Sequence, residues 1–305
     1  MTKHTTKISK LQVKKVLGLK LAEAFRRLGE LDRAIRVEQC GTYLEFSQVQ
    51  DGESMLTAAN FCRERLCPAC SWRRSVRIFS NTSRILDCVE EIDKDCKFLF
   101  LTLTIKNCAA DELAATLDGM SAAFHRLKNN RAWKSRVKGC IRTLEVTINH
   151  EDGTFHPHYH LILAVSKSYA DKDSKIYWTQ EQWAEAWRKS ARLDYVPHVW
   201  IETVKGRRQG IEEVSKYMAK DSDYILPDNP EETDRVVSIL MRDMMGRRLI
   251  GYSGVFLAAQ RALKLESPED GPLTDKLRGD IVVAVKKYHW NSGLCRYVQG
   301  ERKDV

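Results

Sequence analysis

The 305-residue chain reads as an α+β fold with antiparallel strands, and three observations carry that reading. The stretch Leu144 to Leu163, LEVTINHEDGTFHPHYHLIL, alternates like a two-faced hairpin around Asp152-Gly153. Phe98 to Asn107, FLFLTLTIKN, is a β-branched and aromatic run of the kind buried mid-sheet. Between and around these lie segments with helical periodicity, such as Leu113, Leu117, Met120, Phe124 and Leu127.

With Asp152-Gly153 as a two-residue turn, Glu151 opposes Thr154, Asn149 opposes His156, Thr147 opposes His158 and Glu145 opposes His160. One face then carries Glu145, Thr147, Asn149, His156, His158 and His160. The other carries Leu144, Val146, Ile148, Tyr159, Leu161 and Leu163. Two histidines at i and i+2 point the same way, so His158 and His160 can share a divalent ion with Glu145. A solvated histidine cluster is the bland alternative, and the segregation of the faces argues against it. The alternation His156, His158, His160 also resembles the histidine-triad nucleotide hydrolases, which need no metal.

Lys plus Arg outnumber Asp plus Glu by 50 to 41, a net charge of +9 that suits a nucleic-acid partner. No apolar run approaches the roughly 18 residues of a membrane span, and the N-terminus has no signal-peptide core, so a cytoplasmic protein is expected. Nine cysteines, an odd number in a chain with no export signal, favour metal binding over a disulfide framework. Cys62, Cys67 and Cys70 crowd together with Pro68, and Cys40-Gly41 lies upstream. Four thiolates suit tetrahedral Zn²⁺, with buried structural thiols as the alternative. Arg73, Arg74 and Arg77 follow on a helical pattern and are candidate phosphate contacts.

The remaining chain fills in around these motifs. Residues 1 to 9 read as a polar tail, an amphipathic helix follows to about Gly29, and Ile35 and Val37 open strand-like text that runs to Val49. Thr179 and Gln182 match a capping box ahead of Trp183 and Trp187, which at i and i+4 read as core. His198 to Val204 reads as a strand. Ile211 to Tyr224, IEEVSKYMAKDSDY, read as one helix, places Glu213, Tyr217, Lys220 and Tyr224 on a single stripe with Lys216 beside it. Leu249 to Phe256 suggests strand and turn, residues 266 to 273 a loop, and Ile281 to Val298 a hairpin around Asn291-Ser292-Gly293. The expected divisions are an N-terminal helix and Cys-rich zinc-binding DNA-contact region over 1–92, a core over 93–226 that carries the histidine hairpin and the Glu213 stripe, and a helical and β extension over 227–305.

Phe100 to Thr104 (FLTLT), then His156 to His160 (HPHYH), then Glu213-x-x-Lys216-Tyr217 resemble the rolling-circle plasmid replication initiators of the HUH endonuclease superfamily, in the branch with a single catalytic tyrosine and a nearby glutamate. The Cys-rich segment before Trp72-Arg73-Arg74 is similar to that branch too, so the resemblance covers about residues 36 to 260. It implies an antiparallel sheet of about five strands with the histidine pair on a central strand and the tyrosine helix across it. It further implies Tyr217 as nucleophile, Glu213 in place of a second tyrosine, Lys220 and Lys216 near the phosphate, and Mg²⁺ or Mn²⁺ as the catalytic ion. Origin DNA, duplex or cruciform and single-stranded, would be the substrate, with host helicase and polymerase as partners. A homodimer is compatible with this, and a non-catalytic zinc-containing repressor is the other class to be held against it.

Overall fold

The structure, a computed structural model, describes residues 3–171, 173–203, 207–215, 219–277 and 279–304. In chain order the elements are α1 (Lys3–Arg27), α2 (Leu31–Gln39), β1 (Tyr43–Val49), β2 (Ser54–Ala59), α3 (Pro68–Ile92), β3 (Cys96–Thr104), α4 (Leu113–Asn129), α5 (Arg131–Lys134), β4 (Val137–Asn149) and β5 (Thr154–Ser166). After a 3₁₀ turn come α6 (Gln180–Ala191), β6 (Val199–Thr203), α7 (Arg207–Val214), α8 (Asp221–Tyr224), α9 (Pro230–Met244), β7 (Ile250–Gly254), α10 (Val255–Ala262), β8 (Val282–Asn291) and β9 (Arg296–Asp304). The fold class is α+β, with two antiparallel sheets. Two compact units divide the chain: Met1–Arg74, Tyr224–Arg242 and Asp270–Val305 form one, Ser75–Asp223 and Asp243–Glu269 the other. Among the described residues no helix is long and apolar enough to cross a membrane.

The first unit holds the four-stranded sheet, in the order β2-β1-β8-β9. Two readings of its sequence are corrected. Residues 3 to 9 are helical, and the Lys7 ammonium donates to the Ser54 carbonyl at 2.6 Å, which fastens that turn beside β2. Ile35 and Val37 lie on helix α2, not on a strand. Ala34 and Val37 are three apart and buried, and Ile35 is exposed, so β-branched residues that favour strands locally are overruled by packing onto α1. The expected C-terminal hairpin is present as β8 and β9.

The second unit holds the five-stranded sheet, in the order β6-β3-β5-β4-β7, which puts β5 at the centre. Helices α4 and α6 cover the face of Tyr159, whose ring centroid is 5.6 Å from Phe124 and 6.4 Å from Trp187. Trp183 and Trp187 are fully buried, and each indole N–H finds an oxygen, Tyr169 Oη at 2.7 Å and Thr104 O at 2.8 Å. Burial of such side chains stabilises by roughly 2 to 3 kcal/mol each, and the hydrogen bonds remove the penalty of hiding the N–H. The capping box at Thr179 and Gln182 is present. At the β4–β7 edge the strands meet through glycine. Gly254 has φ +57°, and a Cβ there would fall 2.0 Å from the Lys138 carbonyl oxygen, so only glycine fits.

Candidate metal centres and catalytic site

The central hairpin differs from its expected register by two residues. Asn149 pairs with Thr154, Thr147 with His156, Glu145 with His158 and Thr143 with His160. The loop is therefore four residues, 150 to 153, rather than the pair Asp152-Gly153. Asn149 Oδ1 accepts from the Glu151 amide at 3.0 Å, and Asp152 Oδ1 accepts from Thr154 N at 3.0 Å. These side-chain bonds stabilise the longer turn, and Gly153 supplies the positive φ of +72° that closes it. Because strand faces repeat every two residues, the shift exchanges partners without moving any side chain to the other face. Glu145 stays with the histidines.

The three donor groups converge. His160 Nε2 lies 3.0 Å from Glu145 Oε2, His158 Nε2 lies 3.5 Å from the same oxygen, and the two Nε2 atoms are 3.1 Å apart. An octahedral ion with bonds of about 2.1 Å sets adjacent donors about 3.0 Å apart, so these spacings fit three neighbouring positions around one cation. The other ring nitrogens are occupied: His158 Nδ1 faces the His156 carbonyl at 3.1 Å, and His160 Nδ1 faces Thr102 Oγ1 at 3.3 Å. Such partners hold both Nε2 atoms toward the common point. All three residues are buried. Burial alone would raise the Glu145 carboxyl, but hydrogen bonds and charge from His158 and His160 outweigh it and hold the group well below its usual range. That direction favours the carboxylate, the form a cation ligand must take. His156 lies one row along and its imidazolium is disfavoured, first by burial and then by the charge of His158.

Thr102 is a residue that sequence reasoning missed, although it sits inside the FLTLT motif. Replacing it with valine removes the His160 Nδ1 partner at nearly constant volume. We expect divalent-ion affinity to fall about 10- to 100-fold with the fold intact, read by Mn²⁺ titration of the purified protein. Unchanged affinity would mean that the ring is held by packing alone, for instance by Phe100, which stacks on it at 5.6 Å.

Cys40, Cys62, Cys67 and Cys70 form the second cluster. Sγ separations are 3.6 Å for Cys40 and Cys70, 3.7 Å for Cys62 and Cys70, and 3.5 Å for Cys40 and Cys67. A tetrahedral ion with metal–sulfur bonds of about 2.3 Å requires sulfurs about 3.8 Å apart, and these four fit. Backbone amides also point at sulfur: Cys62 N at 3.4 Å from Cys40, Arg63 N at 3.3 Å from Cys70. The residues after two of the ligands, Gly41 and Arg63, have φ of +65° and +63°, which turns the chain back around the cluster. Hydrogen bonding to the three other sulfurs, then burial, raises the Cys70 thiol well above its usual value, a crowding that a cation would relieve. Lys15, on α1, is buried here and donates to the Glu38 carbonyl and, at 2.8 Å, to the Cys40 carbonyl. A lone lysine in a helical pattern gave no sign of that role.

The arginines expected to meet DNA are placed differently. Arg73 is buried, donating to the Leu273 carbonyl at 2.7 Å and to Asp275 at 2.6 Å. Arg74 is buried on the carbonyls of Glu64 and Arg63, at 3.2 and 2.6 Å. Arg77 pairs with Glu266 at 2.8 Å. Arg73 and Arg74 brace the cysteine knuckle from within, which corrects the reading of them as phosphate contacts.

The stripe from Glu213 to Tyr224 does not survive as one helix. Helix α7 ends at Val214, Lys220 stands outside any helix, and α8 begins at Asp221. Lys216 and Tyr217, the expected nucleophile, lie outside the described residues. Among the described residues around them, α7, with half-buried Glu213, packs against β4 and β5, and the Asp223 carboxyl, raised chiefly by burial, also feels Lys220 and Glu145. Tyr224 belongs to the first unit, where its buried hydroxyl donates to the Leu66 carbonyl at 2.7 Å.

The histidine pair on the central strand of a five-stranded antiparallel sheet, together with the four-cysteine cluster, is the arrangement expected above of a rolling-circle replication initiator. Comparison with known proteins agrees, and the chain belongs to the Rep_1 family, described as replication protein, whose family model matches residues 53–298. "Protein rep" of Streptococcus pneumoniae serotype 2 (strain D39 / NCTC 7466) is 36% identical over 296 residues, covering 93% of this chain and 90% of its own. "Protein rep" of a Bacillus species is 35% identical over 264 residues, with 79% and 84% covered, and that of Bacillus amyloliquefaciens 32% identical over 292 residues, with 87% and 84% covered. No solved structure matches the chain.

Proposed function

We propose that this replication protein nicks one strand of its replicon's double-strand origin through Tyr217 and so primes rolling-circle synthesis. The observation that carries the proposal is the convergence of Glu145, His158 and His160 at octahedral spacing. A divalent ion bound there, Mg²⁺ or Mn²⁺, would draw charge from the scissile phosphate and make it a better electrophile. The Tyr217 oxygen attacks phosphorus, the P–Oη bond forms, and the P–O3′ bond breaks. The phenolic proton is lost as the departing 3′ oxygen gains one, leaving a 5′-phosphotyrosyl link and a 3′-hydroxyl that a polymerase extends. Because one ester replaces another, bond energy is kept for rejoining. Lys220 and Lys216 would balance charge on the phosphate and phenolate. Origin DNA and the host helicase and polymerase are the partners this work requires, in the cytoplasm, and the four cysteines would hold Zn²⁺ in a structural knuckle. A non-catalytic repressor has no use for Glu145 aligned with two histidines, and a histidine-triad hydrolase has none for the carboxylate or the cysteines. The test is nicking of a supercoiled plasmid bearing the cognate origin with Mn²⁺, blocked by EDTA. Intact supercoils at every metal concentration would end the proposal.

Glu213 is proposed as the base that ends the cycle by activating water, which leaves no second covalent link. On that account Glu213→Gln still nicks but terminates poorly. A template with two origins should then give mainly read-through product where wild type gives the short circle between them. Efficient short circles from the variant would assign termination elsewhere.

A further inference from the structure

Of the seven tryptophans, Trp133, Trp183 and Trp187 are buried, whereas Trp200 is 48% exposed. It is the one aromatic among the exposed large hydrophobic side chains of the described residues, the others being aliphatic. Its place in the sheet is specific. On edge strand β6 it pairs with Thr102, and Thr102 pairs with His160 on β5, so Trp200, Thr102 and His160 form one cross-strand row on one face. Two strand spacings, roughly 10 Å, separate the indole's strand from the metal-binding strand. That is about the reach from a backbone phosphate to the base of an adjoining nucleotide. Two residues along the same strand and face, Glu202 is exposed and negative, a position that a phosphate avoids. Leaving an indole in water on this face forgoes burial that the fold uses for other tryptophans, and an aromatic ring beside a phosphate-binding site offers a surface on which any base can stack.

We infer that Trp200 is a base-stacking platform, binding the nucleobase of a single-stranded nucleotide next to the scissile phosphate. The inference rests on the nicking reading for where the phosphate sits, and its test needs no chemistry. Binding of a fluorescein-labelled oligothymidylate of roughly a dozen nucleotides is followed by anisotropy with no added divalent ion. Trp200→Ala should bind about tenfold more weakly, the loss of one stacked base, and Trp200→Phe should stay within about threefold of wild type. In wild type, photo-cross-linking an oligonucleotide in which 5-iododeoxyuridine replaces one thymidine at each position in turn should label the peptide containing Trp200 at one of those positions. Equal binding by Trp200→Ala, or labelling confined to other peptides, overturns the inference. Cross-linking at Trp200 in a protein that never nicks would uphold the platform and sink only the nicking proposal.

Discussion

His160→Ala should lower the rate of metal-dependent nicking by about a thousandfold while leaving origin binding nearly unchanged. The variant leaves two donors, Glu145 and His158, 3.5 Å apart, where wild type offers three within 3.0 to 3.5 Å. Two ligands hold a divalent ion weakly, and losing electrostatic help at a phosphate of about 4 kcal/mol corresponds to about three powers of ten in rate. The substitution empties one position on a buried face of the central strand and disturbs no backbone hydrogen bond, so the sheet should persist. Glu145→Ala should behave alike, because the carboxylate opposes His158 and reaches His160. Rates against Mn²⁺ concentration decide the matter: partial rescue at high metal supports lost affinity, and full activity at ordinary metal would remove His160 from the site.

Cys70→Ser should release the bound metal and unfold the knuckle and the sheet beside it. Cys70 is fully buried and its sulfur lies within 3.6 to 3.7 Å of two others, at the heart of the cluster. A structural zinc site contributes on the order of 10 kcal/mol at neutral pH, comparable to the whole stability of a domain. Its loss leaves three crowded thiols near the buried Lys15 ammonium. Elemental analysis should find one zinc per chain in wild type and none in the variant, with the thermal transition of the first unit lost. Cys295→Ser, at an exposed hairpin tip, is the control and should change neither. Wild-type protein purified without chelator and free of zinc would contradict the assignment.

Much of this site was legible in the sequence because strand periodicity is robust. The hairpin register was misjudged by two residues, yet Glu145 kept its face, since only an odd shift moves a side chain to the other side. Asp152-Gly153 looked like a complete turn, and what it could not reveal was that Asn149 would bond back to Glu151 and lengthen the loop. The cysteines were readable as a cluster because their chemistry leaves few alternatives, and the capping box because it is wholly local. Long-range partners were invisible. Arg73 reaches Asp275 across 202 positions, so a buried brace looked like a basic surface. Ile35 and Val37 carry strand propensity that packing on α1 overrides. The stripe through Glu213 assumed uninterrupted periodicity, and nothing in the spacing signalled that the helix stops at Val214.

Tyr217 is proposed as the nucleophile of a metal-dependent nick. Supercoiled plasmid carrying the cognate origin is incubated with Mn²⁺, the protein–DNA adduct is isolated under denaturing conditions, and the nuclease-trimmed peptide is mapped by mass spectrometry. One adduct is expected, a 5′-phosphotyrosine at Tyr217, prevented by EDTA and absent in Tyr217→Phe. An adduct at another residue, or nicking by Tyr217→Phe at the wild-type rate, would contradict it.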